Sequence, residues 1–212
     1  MKNAAIFDLD GTLWDSTPYV HIIWNRVFAR HPETDLCVTQ KDAMRCMGRT
    51  MEEIGELLMP GLDISFRNRI MDEIGGEEVV FLKEHGADLY EGVAETLRTL
   101  KETYDLFIVS NCQDGYVQAF LCAHGFEDCF KDIEMSGRTG LSKGENIRLI
   151  MQRNRIGNAV YIGDTEGDRK AAAEADIPFI HAAYGFGKVK DADAVIRDLA
   201  CLPSVLCRLL KI

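Results

Sequence analysis

The hydrophobic positions change period along the chain. Ala4 to Phe7 is a continuous apolar run, the pattern of a short strand buried on both faces of a parallel sheet. It ends in Asp8-Leu9-Asp10-Gly11-Thr12, and the period then becomes helical. Thr17-Pro18 reads as an N-cap followed by proline at the first helical position. Val20, Ile23, Trp24, Val27 and Phe28 line one face behind it. Thr39 opens a second helix. Thr50-Met51-Glu52-Glu53 has the form of a capping box, with Ile54, Leu57 and Leu58 on one face after it, and Pro60-Gly61 ends that helix. Phe66 to Ile74 and Val79 to His85 read as two helices interrupted at Gly75-Gly76. No convincing strand occurs between Ser16 and His85.

From Glu91 onward the pattern alternates. Helices are expected over Val93–Tyr104, Gly115–His124, Gly144–Arg153 and Glu166–Ala175. Strands are expected over Leu106–Val109, Lys131–Met135, Ala159–Ile162, Pro178–Ile180 and Ala194–Ile196, ahead of a C-terminal helix. This alternation implies a parallel sheet with helices on both sides: an α/β fold with a Rossmann-like, three-layer α/β/α core. A helical block inserted after the first strand implies a small lid with two connections, hinged at Trp14–Thr17 and His85–Gly92. Residues 1–15 and 88–212 are thus the expected core, and 16–87 the expected helical cap.

A chain of 212 residues with 47% hydrophobic content suits one large domain, or one core with an insertion. The formal net charge of -10 argues against nucleic acid and anionic membranes as partners. The seven cysteines are odd in number and form no C-x-x-C pair. They read as reduced thiols of a cytoplasmic protein. There is no leader-like apolar region and no run of about 18 apolar residues for a membrane span.

Four stretches carry candidate chemistry. Asp8 and Asp10 lie two apart at the end of a strand, so they point to the same side, where α/β folds place ligands. Like charges that close raise one pKa or require a cation, although Asp-Gly is also a common solvated turn. Ser110-Asn111 follows the strand Leu106–Val109 and precedes a helix N-terminus, a natural place for an anion or simply for a cap. Lys143 sits just before a helix, where the acids around it are in surplus. In Gly163-Asp164-Thr165-Glu166-Gly167-Asp168, a helix starting near Thr165 brings Asp164 and Asp168 onto one side. Like charges there destabilise a helix, and a bound cation reverses the sign. Oxygen ligands without cysteine or histidine favour a hard cation, and Mg²⁺ suits a phosphate substrate best.

Asp8-Leu9-Asp10-Gly11-Thr12 resembles the first motif of the haloacid dehalogenase-like hydrolase superfamily, most of whose members are phosphatases. Ser110, Lys143 and Asp164–Asp168 resemble its second, third and fourth motifs. The resemblance implies a helical cap after the first motif, with Asp8 as nucleophile and Asp10 as general acid and base. It also implies that Thr12, Ser110, Asn111 and Lys143 hold the phosphoryl group. Asp8, Asp10 through its carbonyl, Asp164 and Asp168 would surround Mg²⁺. Attack of Asp8 on a phosphate dianion is repulsive by about 4 kcal/mol per charge pair at about 4 Å and an effective dielectric of about 20, which the metal and Lys143 must offset. Members that cleave carbon–halogen bonds lack the second aspartate, so Asp10 points to phosphoryl chemistry.

In the cap, Gly48-Arg49 lies between two helices, and Arg49 is placed to bind a substrate anion. Trp14 and Asp15, where cap meets core, are expected to reach the substrate. Tyr184-Gly185-Phe186-Gly187 resembles a loop of phosphoglycolate phosphatase-like members but reads by itself as a glycine turn with packed aromatics. The resemblance implies a phosphoglycolate phosphatase-like activity, Mg²⁺-dependent hydrolysis of a small phosphorylated metabolite through an aspartyl-phosphate, by a monomer or homodimer, with phosphoglycolate, a sugar phosphate or a nucleotide as open substrates. A phosphomutase with the same first step, a pyrophosphatase and a non-catalytic phosphometabolite-binding module are the alternatives.

Overall fold

Residues 3–210 are described by a computed structural model. The first apolar run forms β1 (Ala4–Phe7), all four residues buried. β2 (Trp14–Asp15) leads into four helices, α1 (Thr17–Phe28), α2 (Gln40–Cys46), α3 (Met51–Leu58) and α4 (Ile64–His85). The chain returns through β3 (Asp88–Leu89) and α5 (Val93–Leu100) to β4 (Asp105–Ser110). There follow α6 (Tyr116–His124), β5 (Asp132–Met135), the single turn α7 (Ser136–Thr139) and α8 (Lys143–Arg153). The chain closes with β6 (Ala159–Gly163), α9 (Glu166–Glu174), β7 (Phe179–Ala182), β8 (Ala194–Ile196) and α10 (Leu202–Leu210).

Six strands make one parallel sheet in the order β5-β4-β1-β6-β7-β8. Phe7 stands opposite Ile108 on β4 and Ile162 on β6. Asp8 therefore leaves the sheet where the strand order reverses, the position at which such folds open a crevice. Side chains alternate between the two faces. Ala5, Phe7, Ile108 and Ile162 join one apolar cluster, while Ile6, Phe107, Val109 and Tyr161 join another beneath Ile147 and Ile150 of α8 and Ala171 and Ala172 of α9. Helices thus cover both faces, as the alternation predicts.

The cap helices bury Trp24, Phe28, Ile70 and Ile74. Each such side chain contributes about 2 kcal/mol by leaving water. The two expected hinges pair with each other as an antiparallel ribbon, Trp14 opposite Leu89 and Asp15 opposite Asp88. Two readings need correction here. Helix α4 runs without a break through Gly75-Gly76. A Cβ on Gly75 would stand 3.2 Å from Gln113 Cγ, so this glycine admits a core loop against the helix rather than ending it. At α1 the capping acceptor is Asp15, whose Oδ1 receives the Thr17 amide at 2.9 Å and its hydroxyl at 2.7 Å.

No helix among the described residues is long and apolar enough to cross a membrane. None of the seven cysteines, all among the described residues, forms a disulfide.

Candidate active site

Asp8, at the end of β1, is buried. Lys143, the first residue of α8, reaches it with Nζ 3.0 Å from Asp8 Oδ1 and 2.6 Å from Asp168 Oδ1. The Ser142–Glu145 capping box fixes the start of α8 and with it the lysine's origin. Asp168 reaches the same place through a second capping box. Its Oδ2 accepts the amides of Asp164 and Thr165 at 3.2 and 2.9 Å and the Thr165 hydroxyl at 2.6 Å. Helix α9 therefore begins at Glu166 with Thr165 as its cap. Asp164 precedes the helix, so it is this cap, not an i,i+4 spacing within the helix, that brings the two acids together.

Asp164 is fully buried. Its Oδ2 accepts the amides of Phe186 at 2.7 Å and Gly187 at 3.3 Å, so the Tyr184–Gly187 loop is a cradle for this carboxylate rather than a bare turn. Two glycines make the approach possible. A Cβ on Gly185 would lie 2.4 Å from Asp164 Cβ, and one on Gly11 would lie 2.3 Å from Asp164 Oδ2. Gly11 also holds φ +82°, a conformation glycine adopts at little cost. The other oxygen, Asp164 Oδ1, is buried without a hydrogen-bond partner.

Carboxylate oxygens of Asp8, Asp164 and Asp168 lie within 4.8 Å of one another. One lysine faces three buried acids. Burial and the Asp168 charge lift Asp8 from 3.8 to about 7 against the pull of Lys143. Burial, Asp168 and Asp8 raise Asp164 well above its ordinary value. Burial alone would lower Lys143, but Asp168 and Asp8 outweigh it and raise it well above 10.5. An all-oxygen donor set, a surplus of negative charge and an orphaned buried oxygen on Asp164 fit a hard divalent cation. Asp8 and Asp164 have the freer oxygens. Both oxygens of Asp168 are engaged, so its main work is to hold Lys143.

Asp10 is arranged differently. Its Oδ1 accepts the hydroxyls of Ser16 at 2.6 Å and Tyr116 at 3.1 Å. Its side chain stands outside the acidic trio. Burial raises it to about 6, opposed by the bonds from Ser16 and Tyr116. Asp8, Asp10 and Ser110 line one narrow cavity of about 40 Å³, closed from the cap side by Trp24, Arg49 and Glu78. Arg49 is exposed at its rim.

Four expected contacts come out otherwise. Asn111 reaches the cavity wall, but its amide nitrogen donates to Gly48 O at 2.8 Å and its Oδ1 accepts the Ser136 hydroxyl at 2.9 Å. Its side chain ties the cap loop to the core. Thr12 is fully buried with its hydroxyl unpartnered and does not line the cavity. Trp14 packs edge-on against Tyr116, Phe120 and His124, and Asp15 caps α1, so neither reaches the cavity.

Ser16, Tyr116 and Glu78 belong to the site but carry no sequence signal of it. Tyr116 lies 106 residues from Asp10 in the chain, and only the fold brings them together.

The family model for haloacid dehalogenase-like hydrolases matches residues 5–182. The chain belongs to that family. Among relatives of this hydrolase, a phosphoglycolate phosphatase of Rhodobacter capsulatus is 27% identical, covering 97% of each chain. One from Xanthomonas campestris pv. campestris is 26% identical over 86% of this chain and 84% of its own. A solved haloacid dehalogenase-like family protein from Streptococcus pneumoniae shares the fold, with TM-score 0.79, 22% identity, and 96% and 97% of the two chains covered.

Proposed function

We propose that this hydrolase releases phosphate from a small phosphomonoester by way of an aspartyl-phosphate on Asp8. The class, a haloacid dehalogenase-like phosphatase, follows from the family together with phosphatases that match nearly the whole chain. What supports the mechanism is the unlike treatment of two aspartates two residues apart. Asp8 is bound to a lysine ammonium, which pulls against the burial and the Asp168 charge that raise it and orients the oxygen that attacks. Asp10 is held by neutral hydroxyls and lifted by burial, which suits a proton carrier.

In the first step an Asp8 oxygen bonds to phosphorus as the ester P–O bond breaks, and Asp10 gives its proton to the departing alcohol oxygen. In the second, Asp10 takes a proton from water as that water attacks phosphorus, freeing phosphate and restoring Asp8. Lys143 holds the orientation of Asp8 throughout. Ser110 and Lys143 contact the phosphoryl oxygens, and the Gly48-Arg49 loop closes over that end. Asp8, Asp164 and the Asp10 carbonyl, with Asp168 beside them, would hold Mg²⁺, which when bound neutralises charge on the phosphoryl group. Residues 16–87 act as the cap that shields the reaction from water, and a cavity this narrow suits a small metabolite. Seven cysteines without a disulfide among the described residues suit a reducing, cytoplasmic setting. The chain works as a monomer or homodimer.

Phosphate release from a panel of small phosphomonoesters, with Mg²⁺ and with chelator, tests this reading. Turnover that needs Mg²⁺ and no acceptor molecule is expected. A folded protein that releases no phosphate, or transfers it only to a second sugar phosphate, would overturn it.

A further inference from the structure

The cavity has two ends. The loop at residues 47–49 lies over the phosphoryl end. The Gly48 carbonyl is bonded to Asn111, next to Ser110, and a Cβ on Gly48 would stand 3.3 Å from Thr165, next to Asp164. The leaving-group end is marked by Asp10, which must touch the alcohol oxygen it protonates. The cap residue there is Glu78 on α4. It lines the same cavity, is 3% exposed, and interacts electrostatically with both Asp10 and Tyr116.

Glu78 is held firmly. Trp24 Nε1 donates to its Oε1, and Gln113 Nε2 donates to its Oε2 at 2.6 Å. Both bonds favour the carboxylate form. Each oxygen keeps a lone pair to accept one more hydrogen bond, and an ionised carboxylate can only accept.

The surroundings extend the pattern. Through Met51, Asn111, Cys112 and Gln113 the cavity adjoins a cleft of about 520 Å³ between cap and core. Among the described residues, the charged side chains lining that cleft are Glu52, Asp72 and Asp114, with no lysine or arginine on its wall. Arg138 pairs with Asp114 at 3.0 Å.

We propose that Glu78 selects the leaving group: the substrate's alcohol part carries a hydroxyl or ammonium donor that meets Glu78, and esters whose alcohol part ends in a carboxylate or second phosphate are rejected. The inference rests on the phosphatase reading above. It also sets this chain apart from relatives named for phosphoglycolate, whose alcohol part ends in a carboxylate. Such a group would bring a second negative charge against a buried one, and like-charge juxtaposition is an effective means of rejection.

The test compares kcat/KM for 2-aminoethyl phosphate, glycerol 1-phosphate and phosphoglycolate, with p-nitrophenyl phosphate as a reference ester. All are assayed at about pH 8 so that the carboxylate is ionised. The wild-type protein is expected to favour the first two over phosphoglycolate by about tenfold or more. Glu78→Gln is expected to narrow that ratio, chiefly by raising the value for phosphoglycolate. A wild-type preference for phosphoglycolate overturns the proposal without any variant, as does a ratio unchanged in Glu78→Gln. Turnover of p-nitrophenyl phosphate in those cases leaves the phosphatase reading standing. No release from any of the four esters overturns both.

Discussion

Replacing Glu78 by glutamine is expected to change how the stability of this hydrolase depends on pH. Burial lifts Glu78 from 4.5 to about 7, against the opposing bonds from Trp24 and Gln113. Ionising it in the folded protein therefore costs about 3 kcal/mol more than in the unfolded chain. Below the unfolded value both states carry the proton and the cost is absent. Between 4.5 and about 7 the folded state keeps a proton that the unfolded state releases, so stability falls as pH rises. Above that range the loss is complete.

Glutamine cannot ionise, so Glu78→Gln escapes this loss. Asp10 and Tyr116 are the titratable groups that interact with Glu78, and titrations elsewhere cancel between the two proteins. Urea unfolding of both, in chelator, at about pH 5 and about pH 8 isolates the effect. The difference in unfolding free energy should move toward the variant by about 2.5 kcal/mol between those two pH values, with a matching shift in relative melting temperature of about 5 °C or more. An equal difference at both pH values would mean that Glu78 titrates as an exposed carboxyl, which refutes the burial argument.

Other substitutions probe the acidic trio. Lys143→Met removes the cation that Asp8 and Asp168 share and should abolish phosphate release. It leaves two buried carboxylates unpaired, with a loss of about 3 kcal/mol in urea unfolding at neutral pH. Unchanged stability would mean that water already reaches the trio. Gly11→Ala places a Cβ where Asp164 Oδ2 now lies and forces a side chain into positive φ. It should cost about 2 kcal/mol and abolish the rise in melting temperature that Mg²⁺ gives the wild-type protein; a retained Mg²⁺ shift would show that Asp164 is not a ligand.

Legibility in the sequence followed how local each signal was. β1 was readable because a run buried on both faces has no polar alternation, and the acids after it fall at the strand end by period alone. Lys143 and Asp168 lie at helix starts that the sequence pattern marks, so their neighbourhood could be anticipated. The continuity of α4 could not, because Gly75 answers to Gln113, a partner 38 residues away. Glu78 is hidden in the same way, with partners 54 and 35 residues away on another cap helix and in a core loop. Asn111 and Trp14 sit at positions that read as substrate-facing, yet tertiary contacts take up their side chains. The loop around Gly185 read as an ordinary turn because the carboxylate that needs it close belongs to another strand end.

The most direct test of the central claim is to quench the protein in acid during turnover and map the peptide that carries Asp8. A phosphoryl group on Asp8 of the wild-type protein, absent from a folded Asp8→Asn variant that releases no phosphate, is the predicted result. A phosphoryl group on another residue, or near-normal phosphate release by Asp8→Asn, would contradict it.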